Sequence, residues 1–489
     1  MTTTAPPQVA EALNYVNGEW RKSAGDTLSV VNPATNEVIG HVPLSTTKEL
    51  DEAVAAAGHI KNQWRRTPPG ERVQYLFALK QLLEDHIDEL ARTIVIENGK
   101  TFVEAKAEVR RAIENVEVAC GIPMLMQGYN LEDISPGIDE TMIRQPVGIV
   151  AAITPFNFPA MIPFWYLPYA IACGNCFILK PSEKVPLTMQ LAFSLLERLN
   201  LPKGVIGLIN GGREAVDAII DHPKIRAISF VGSTLVAKYI YSRSAANGKR
   251  VQCQGGAKNH AIVLPDADLD TSTSVISESA FACAGQRCLA VSVAVTVGQA
   301  QKKFRDAICD VAGSIKMGFG LDEGVRMGPV ITPESRTRIE GLIAKGASDG
   351  ATVVRDGRGQ KASRYESGNF VGPTVIDEVA PISELASTEV FGPVLSLVHA
   401  NTLEQAIRIV GQSEYGNAAS LFTTNGATAR RFKYAAPAGN IGINIGVAAP
   451  IAYFPFSGWK ASFFGDLHAQ GRDAIEFYTE KKVVIERWA

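Results

Sequence analysis

Between residues 147 and 254 the chain alternates apolar runs with segments of helical length, and this alternation narrows the fold more than any other feature. The runs are GIVAAIT, NCFILK, GVIGLIN, IRAISFVG and KRVQCQ. Neighbouring parallel strands need a helical crossover, so the pattern predicts an α/β fold with a doubly wound, Rossmann-type parallel sheet. Ligands of such sheets bind beyond the carboxyl ends of the strands. Three loops fall there and are candidates for a nucleotide: 155–159, 180–183 and 232–234.

The flanking segments divide the rest of the chain. Thr46 and Glu49 have capping-box spacing ahead of an alanine-rich helix, a second helix is expected over 71–96, and Val109, Ile113, Val116 and Cys120 share one face of a third. A second α/β unit opens near residue 255, with a helix to about 282, a strand over 291–297 and alternation to about 442. Residues 125–144 read as extended and 482–488 as a terminal strand; exposed strands need cover, which suggests a subunit interface. The expected division is a nucleotide-binding domain from 1–123 and 147–254, a catalytic domain over 255–456, and a small β bridging element from 124–146 and 457–489.

Composition excludes several functions. A net charge of -2 in 489 residues supplies no cationic field for a nucleic acid or an anionic membrane. Residues 1–10 lack the basic and apolar succession of a secretory signal, so a cytoplasmic location is expected. Residues 145–179 are uncharged and long enough to span a bilayer, but Pro155, Pro159, Pro163 and Pro168 interrupt them, so a buried strand, loop and helix are expected. Seven cysteines, an odd number, argue for reduced thiols. Cys173 and Cys176 form a CxxC with no second pair and no nearby histidine, so no metal site is expected.

Single motifs leave the chemistry open. Gly232-Ser233-Thr234 follows a strand and opens a helix, where free N–H groups can hold a diphosphate, or where serine simply caps the helix. There is no GxGxxG to decide between them. Lys180 and Glu183 can bond a ribose or form a solvated turn; a carboxylate at 183 would favour NAD over NADP. Arg287 directly precedes Cys288, and a neighbouring cation stabilises a thiolate, yet a lone cysteine is more often a packing residue. Asn157 can donate to an oxyanion or form a turn.

Taken together and in order, PFNFP, LKPSE, FVGST, QGGAK, GQRC, EVFGPV and PFSG closely resemble the aldehyde dehydrogenase superfamily over nearly the whole chain. The resemblance implies that Cys288 attacks an aldehyde, with the oxyanion held by Asn157 and the Cys288 N–H. It also implies that NAD is bound by Phe156, Lys180, Glu183, Gly232, Ser233, Glu389 and Phe391. By family habit the assembly is a homotetramer, a dimer of dimers.

Gln254 stands where hydrolytic members carry a glutamate that activates water, and a neutral amide cannot take that proton. A thiol such as coenzyme A needs less help from a base. FNFPAMIPFW, GAKNH, AGQRC and EFYTEKK resemble the methylmalonate-semialdehyde dehydrogenase branch, whose substrate-binding arginines map onto Arg111 and Arg287. Periodicity alone places Arg111 opposite its helix's apolar stripe, in solvent, with Arg110 as the decoy beside it. The expected reaction is NAD-dependent oxidation of malonate or methylmalonate semialdehyde with decarboxylation and transfer to coenzyme A. The alternative is a hydrolytic dehydrogenase of another small aldehyde.

Overall fold

A computed structural model describes residues 9–488; the reading of residues 1–8 as free of a leader falls outside them. The five apolar runs form adjacent parallel strands, Arg250–Gln254, Ile225–Val231, Ile149–Ile153, Cys176–Lys180 and Ile206–Leu208, in that spatial order. Helices cover both faces, which explains why most of these strands read as near-continuous apolar runs; Arg250–Gln254, reading RVQCQ, is the exception. Strand order reverses at Ile149–Ile153, and Ile153 pairs with Phe230 on one side and Lys180 on the other. The three candidate loops therefore leave the sheet side by side at its switch point. Two short strands, Asn14–Val16 and Glu19–Arg21, extend one edge, and Phe463–Phe464 pairs with the other.

A second sheet of seven strands runs from Thr352–Arg355 through Val291–Val297 and Asn259–Val263 to Asn440–Ile443, with its own buried core. The hairpin Tyr129–Ser135 and Ile138–Pro146 takes the last strand, Thr479–Arg487, antiparallel along the whole length of Ile138–Pro146. Tyr129, Leu131, Val483 and Ile485 are exposed on this three-stranded sheet.

The amino-terminal helices follow the sequence closely, with one correction. Glu49 closes the capping box on the Thr46 N–H at 3.1 Å, ahead of the helix Thr47–Arg66. The single helix expected over 71–96 is two, Pro69–Asp85 and Ile87–Asn98, broken at His86 with φ -109° and ψ 16°. The apolar repeat continues across the break through Leu83, Leu90 and Ile94, so periodicity could not register a change of direction at one residue. The uncharged run 145–179 folds as strand, loop, the helices Met161–Phe164 and Leu167–Ala172, and strand. Among the described residues no helix is long and apolar enough to cross a membrane.

Candidate active site

The chain reaches Cys288 through a tight turn. After the helix Leu269–Phe281, Cys283 and Ala284 both adopt φ +51° and Gly285 +69°. Left-handed backbone costs a residue with a Cβ of order 1–2 kcal/mol, so two such residues in succession mark a conformation imposed by its surroundings. At Gly285 a Cβ would lie 2.0 Å from the Gly392 carbonyl oxygen, and only glycine fits. The Cys288 carbonyl is then pinned by two side-chain amides, Asn259 Nδ2 at 2.8 Å and Asn417 Nδ2 at 2.9 Å. With its carbonyl fixed on one side, Cys288 joins the lining of a cavity of about 330 Å³.

That cavity is mostly apolar, with Phe158, Trp165, Leu289 and Phe456 among its walls. Burial of the Cys288 thiol, aided by the Glu389 charge, pushes it up to about 12. The N–H groups of Cys288 and Leu289 act on the sulfur in the opposite direction. Asn157 is buried and donates Nδ2 to the Gln286 carbonyl at 3.0 Å. A primary amide has a second hydrogen, so this bond orients the group and leaves one donor over.

The two arginines divide. Arg111, which periodicity places in solvent, lines the cavity with Cys288; Nη1 meets Glu114 at 2.7 Å and Nη2 donates to the Pro450 carbonyl at 2.7 Å. The segment around Pro450 closes over this side of the helix Phe102–Cys120, which a single-helix pattern cannot foresee. Arg110 points away and pairs with Glu84 and Glu117. Arg287 also lines the cavity, but its Nε donates to Cys283 Sγ at 3.3 Å and its Nη2 lies 3.7 Å from Glu104. Of the two roles open to Arg287, binding a substrate carboxylate and tuning the Cys288 thiolate, the second is weak: the left-handed turn folds the guanidinium back onto Cys283, and its lowering effect on Cys288 is small beside that of burial.

Gln254 ends its strand buried, donating Nε2 to the Phe456 carbonyl at 3.3 Å, while its Oε1 has no partner. A carbonyl acceptor left without a donor in a dry site is costly unless something arrives to donate.

On the switch-point face, Lys180 Nζ and Glu183 Oε2 lie 3.2 Å apart at the end of their strand. Burial draws the Lys180 ammonium below the usual lysine range. Burial also raises Glu183, but Lys180 and the hydrogen bonds outweigh it and hold the carboxyl below its usual range. Ser233 occupies the N-cap of the helix Thr234–Ala246 without a side-chain capping bond, so that hydroxyl and the helix's free N–H groups remain for a ligand. Glu389 accepts the Ala257 N–H at 2.9 Å, and a Cβ on Gly256 would lie 2.6 Å from its carboxylate. Phe156 and Phe391 meet edge to face at 5.9 Å, the latter in left-handed backbone at φ +51°. A buried lysine beside a carboxylate, an uncapped helix start and two ring edges fit a dinucleotide.

Sequence reasoning missed Asn98, Lys100, Glu104, Glu108 and Lys258. Lys258 Nζ is buried without a hydrogen-bond partner, and burial draws it down to about 7 beside Glu389. Lys100 and Glu108 form a buried pair behind Asn157. The available signal was Glu108 itself, a charge adjoining the apolar face that includes Ala105, Val109 and Ala112.

The aldehyde dehydrogenase family pattern matches residues 20–484. The chain is 47% identical to malonate-semialdehyde dehydrogenase 2 of Geobacillus kaustophilus (strain HTA426), covering 97% of this chain and 98% of that protein. It superposes with a TM-score of 0.97 on methylmalonate-semialdehyde dehydrogenase from Oceanimonas doudoroffii, 45% identical over 98% of this chain and 99% of that one. A Sinorhizobium meliloti 1021 protein that bears the name methylmalonate-semialdehyde dehydrogenase, solved with NAD, also superposes at 0.97, with 43% identity over 99% of each chain.

Proposed function

The chain belongs to the aldehyde dehydrogenase family, and we propose that it oxidises malonate or methylmalonate semialdehyde with NAD and passes the acyl group to coenzyme A. One observation carries the choice of substrate: a single cavity is lined by Cys288, Arg111 and Arg287. A guanidinium forks onto a carboxylate, so a short aldehyde ending in a carboxylate can span from the arginines to the thiol.

In this reading Cys288 Sγ, once deprotonated, adds to the aldehyde carbon. The free Asn157 amide hydrogen and the Cys288 N–H receive the oxyanion. Lys180, Glu183, Ser233 and Glu389, with Phe156 and Phe391, would hold NAD, which would supply the hydride acceptor. Collapse leaves a thioester on Cys288. Loss of carbon dioxide from its β-carboxylate sends the electrons into the thioester carbonyl, where the same two donors stabilise the enolate until its α-carbon takes up a proton. Gln254 offers an acceptor but no base, so attack by water is slow and a thiol nucleophile is favoured. The products are NADH, carbon dioxide and acetyl-CoA or propionyl-CoA.

The exposed apolar face and free edge of the three-stranded sheet support a homotetramer, as a dimer of dimers. The seven cysteines are all unpaired, which supports a reducing, cytoplasmic setting.

Initial rates of NADH formation test the proposal, with malonate, methylmalonate and succinate semialdehydes beside propanal. Malonate and methylmalonate semialdehydes, whose aldehyde and carboxylate flank a single carbon, should give the highest kcat/KM, and coenzyme A should raise turnover. Preference for propanal, or turnover indifferent to coenzyme A, would refute it.

A further inference from the structure

We infer that the buried Lys100–Glu108 pair is the positioning device for the oxyanion-binding amide of Asn157; the inference rests on the oxyanion role proposed above for that residue. The helix Ile87–Asn98 stops at Gly99, whose φ of +92° reverses the chain. A Cβ there would lie within 3.0 Å of the rings of Pro33 and Pro329, so the turn is closely confined. It delivers Lys100 inward as the next helix, Phe102–Cys120, begins, and that helix carries Glu108.

Neither side chain reaches solvent, with 1% and 0% exposure. Dehydrating two charges costs several kcal/mol each, and an apolar pair of similar size would often be at least as stable. What the charges do instead is visible in their partners. Besides Glu108, Lys100 Nζ donates to the Asn157 carbonyl at 2.8 Å and sits 4.1 Å from the centre of the Phe158 ring. Glu108 Oε1 accepts the N–H groups of Ala160 at 2.8 Å and Met161 at 3.1 Å. Asn98 adds a bond to the Phe156 carbonyl at 2.9 Å.

These bonds hold the loop 156–161 by its backbone on both sides of Asn157. Lys100 touches the Asn157 main chain and not the amide that meets the oxyanion, so it acts through that residue. Displacing the amide by about 1 Å is enough to cost on the order of a hundredfold in rate.

A double-mutant cycle on the intact enzyme tests this, using Lys100→Met, Asn157→Ala and their combination, with the single-turnover NADH burst as readout. Lys100→Met should slow the burst by about 10- to 100-fold with little change in KM. In the Asn157→Ala background the same substitution should cost less than about threefold, because the amide it positions is gone. Alkylation of Cys288 by iodoacetamide, which needs no oxyanion donor, should be unchanged. If Lys100→Met does not fold, Glu108→Gln, which keeps the Oε1 acceptor but loses the charge, replaces it, with Lys100→Arg as the conservative rescue. Equal losses in both backgrounds would overturn the positioning role while leaving the oxyanion reading intact. An unaltered burst in Asn157→Ala alone would overturn both.

Discussion

Replacing Arg111 by leucine separates recognition of a charged aldehyde from the chemistry on Cys288. The guanidinium uses Nη1 on Glu114 and Nη2 on Pro450, so it is fixed at the cavity wall with donors to spare. A charge-assisted hydrogen bond contributes about 1.5–3 kcal/mol, and because the side chain is 32% exposed the lower half of that range applies. About 1.5–2 kcal/mol corresponds to a loss of about 10- to 30-fold in kcat/KM for methylmalonate semialdehyde. Propanal has no carboxylate and should change by less than about twofold. The assay is NADH formation with each aldehyde at saturating NAD and coenzyme A. Arg110→Leu is the control, since Arg110 pairs only with Glu84 and Glu117 at the surface, and it should leave both values unchanged. Equal losses for the two aldehydes, or an Arg110→Leu effect as large, would refute the assignment of Arg111 to the carboxylate.

Gln254→Glu introduces a base at the position of the unpartnered amide oxygen and should raise release of free acid without coenzyme A by at least about tenfold; an unchanged ratio of acid to acyl-CoA counts against the role given to Gln254. Burial holds the Cys288 thiol near 12 in the ligand-free protein, so alkylation by iodoacetamide should climb steadily from pH 6 to about pH 10, and a plateau near neutrality would contradict that. His260 is drawn from 6.5 down to about 4 by burial, so the unfolded chain takes up the proton first. Its contribution to stability is complete above pH 6.5 and is lost as pH falls through 4, up to about 3 kcal/mol. Melting temperatures at pH 7 and pH 4.5 should differ less in His260→Gln than in the unaltered protein, and an equal difference would remove His260 from the explanation.

Most of the parallel strands were legible because they are continuous apolar runs covered on both faces; their spatial order was not, since it depends on which side of the sheet each crossover takes. Contacts made by turns and pairs were less accessible. Arg287 neighbours Cys288 in sequence, yet two left-handed residues that are not glycine bring it to Cys283, four positions back. His86 breaks a helix inside an uninterrupted apolar rhythm. Lys100 stands in a Gly-Lys-Thr stretch that carries no pattern marking it as buried, and only the packing of the loop 156–161 against it reveals a buried charge. Arg111 reached the cavity through a segment more than three hundred residues away, beyond what one helix's periodicity encodes.

The most direct measurement is peptide mass spectrometry of the protein quenched after reaction with NAD and methylmalonate semialdehyde, before and after a chase with coenzyme A. The expected result is an acyl group on the peptide bearing Cys288 that persists in water and leaves on the chase as propionyl-CoA. A Cys288 peptide free of acyl groups throughout turnover, or one that clears as rapidly in water as with coenzyme A, would contradict acyl transfer from this cysteine.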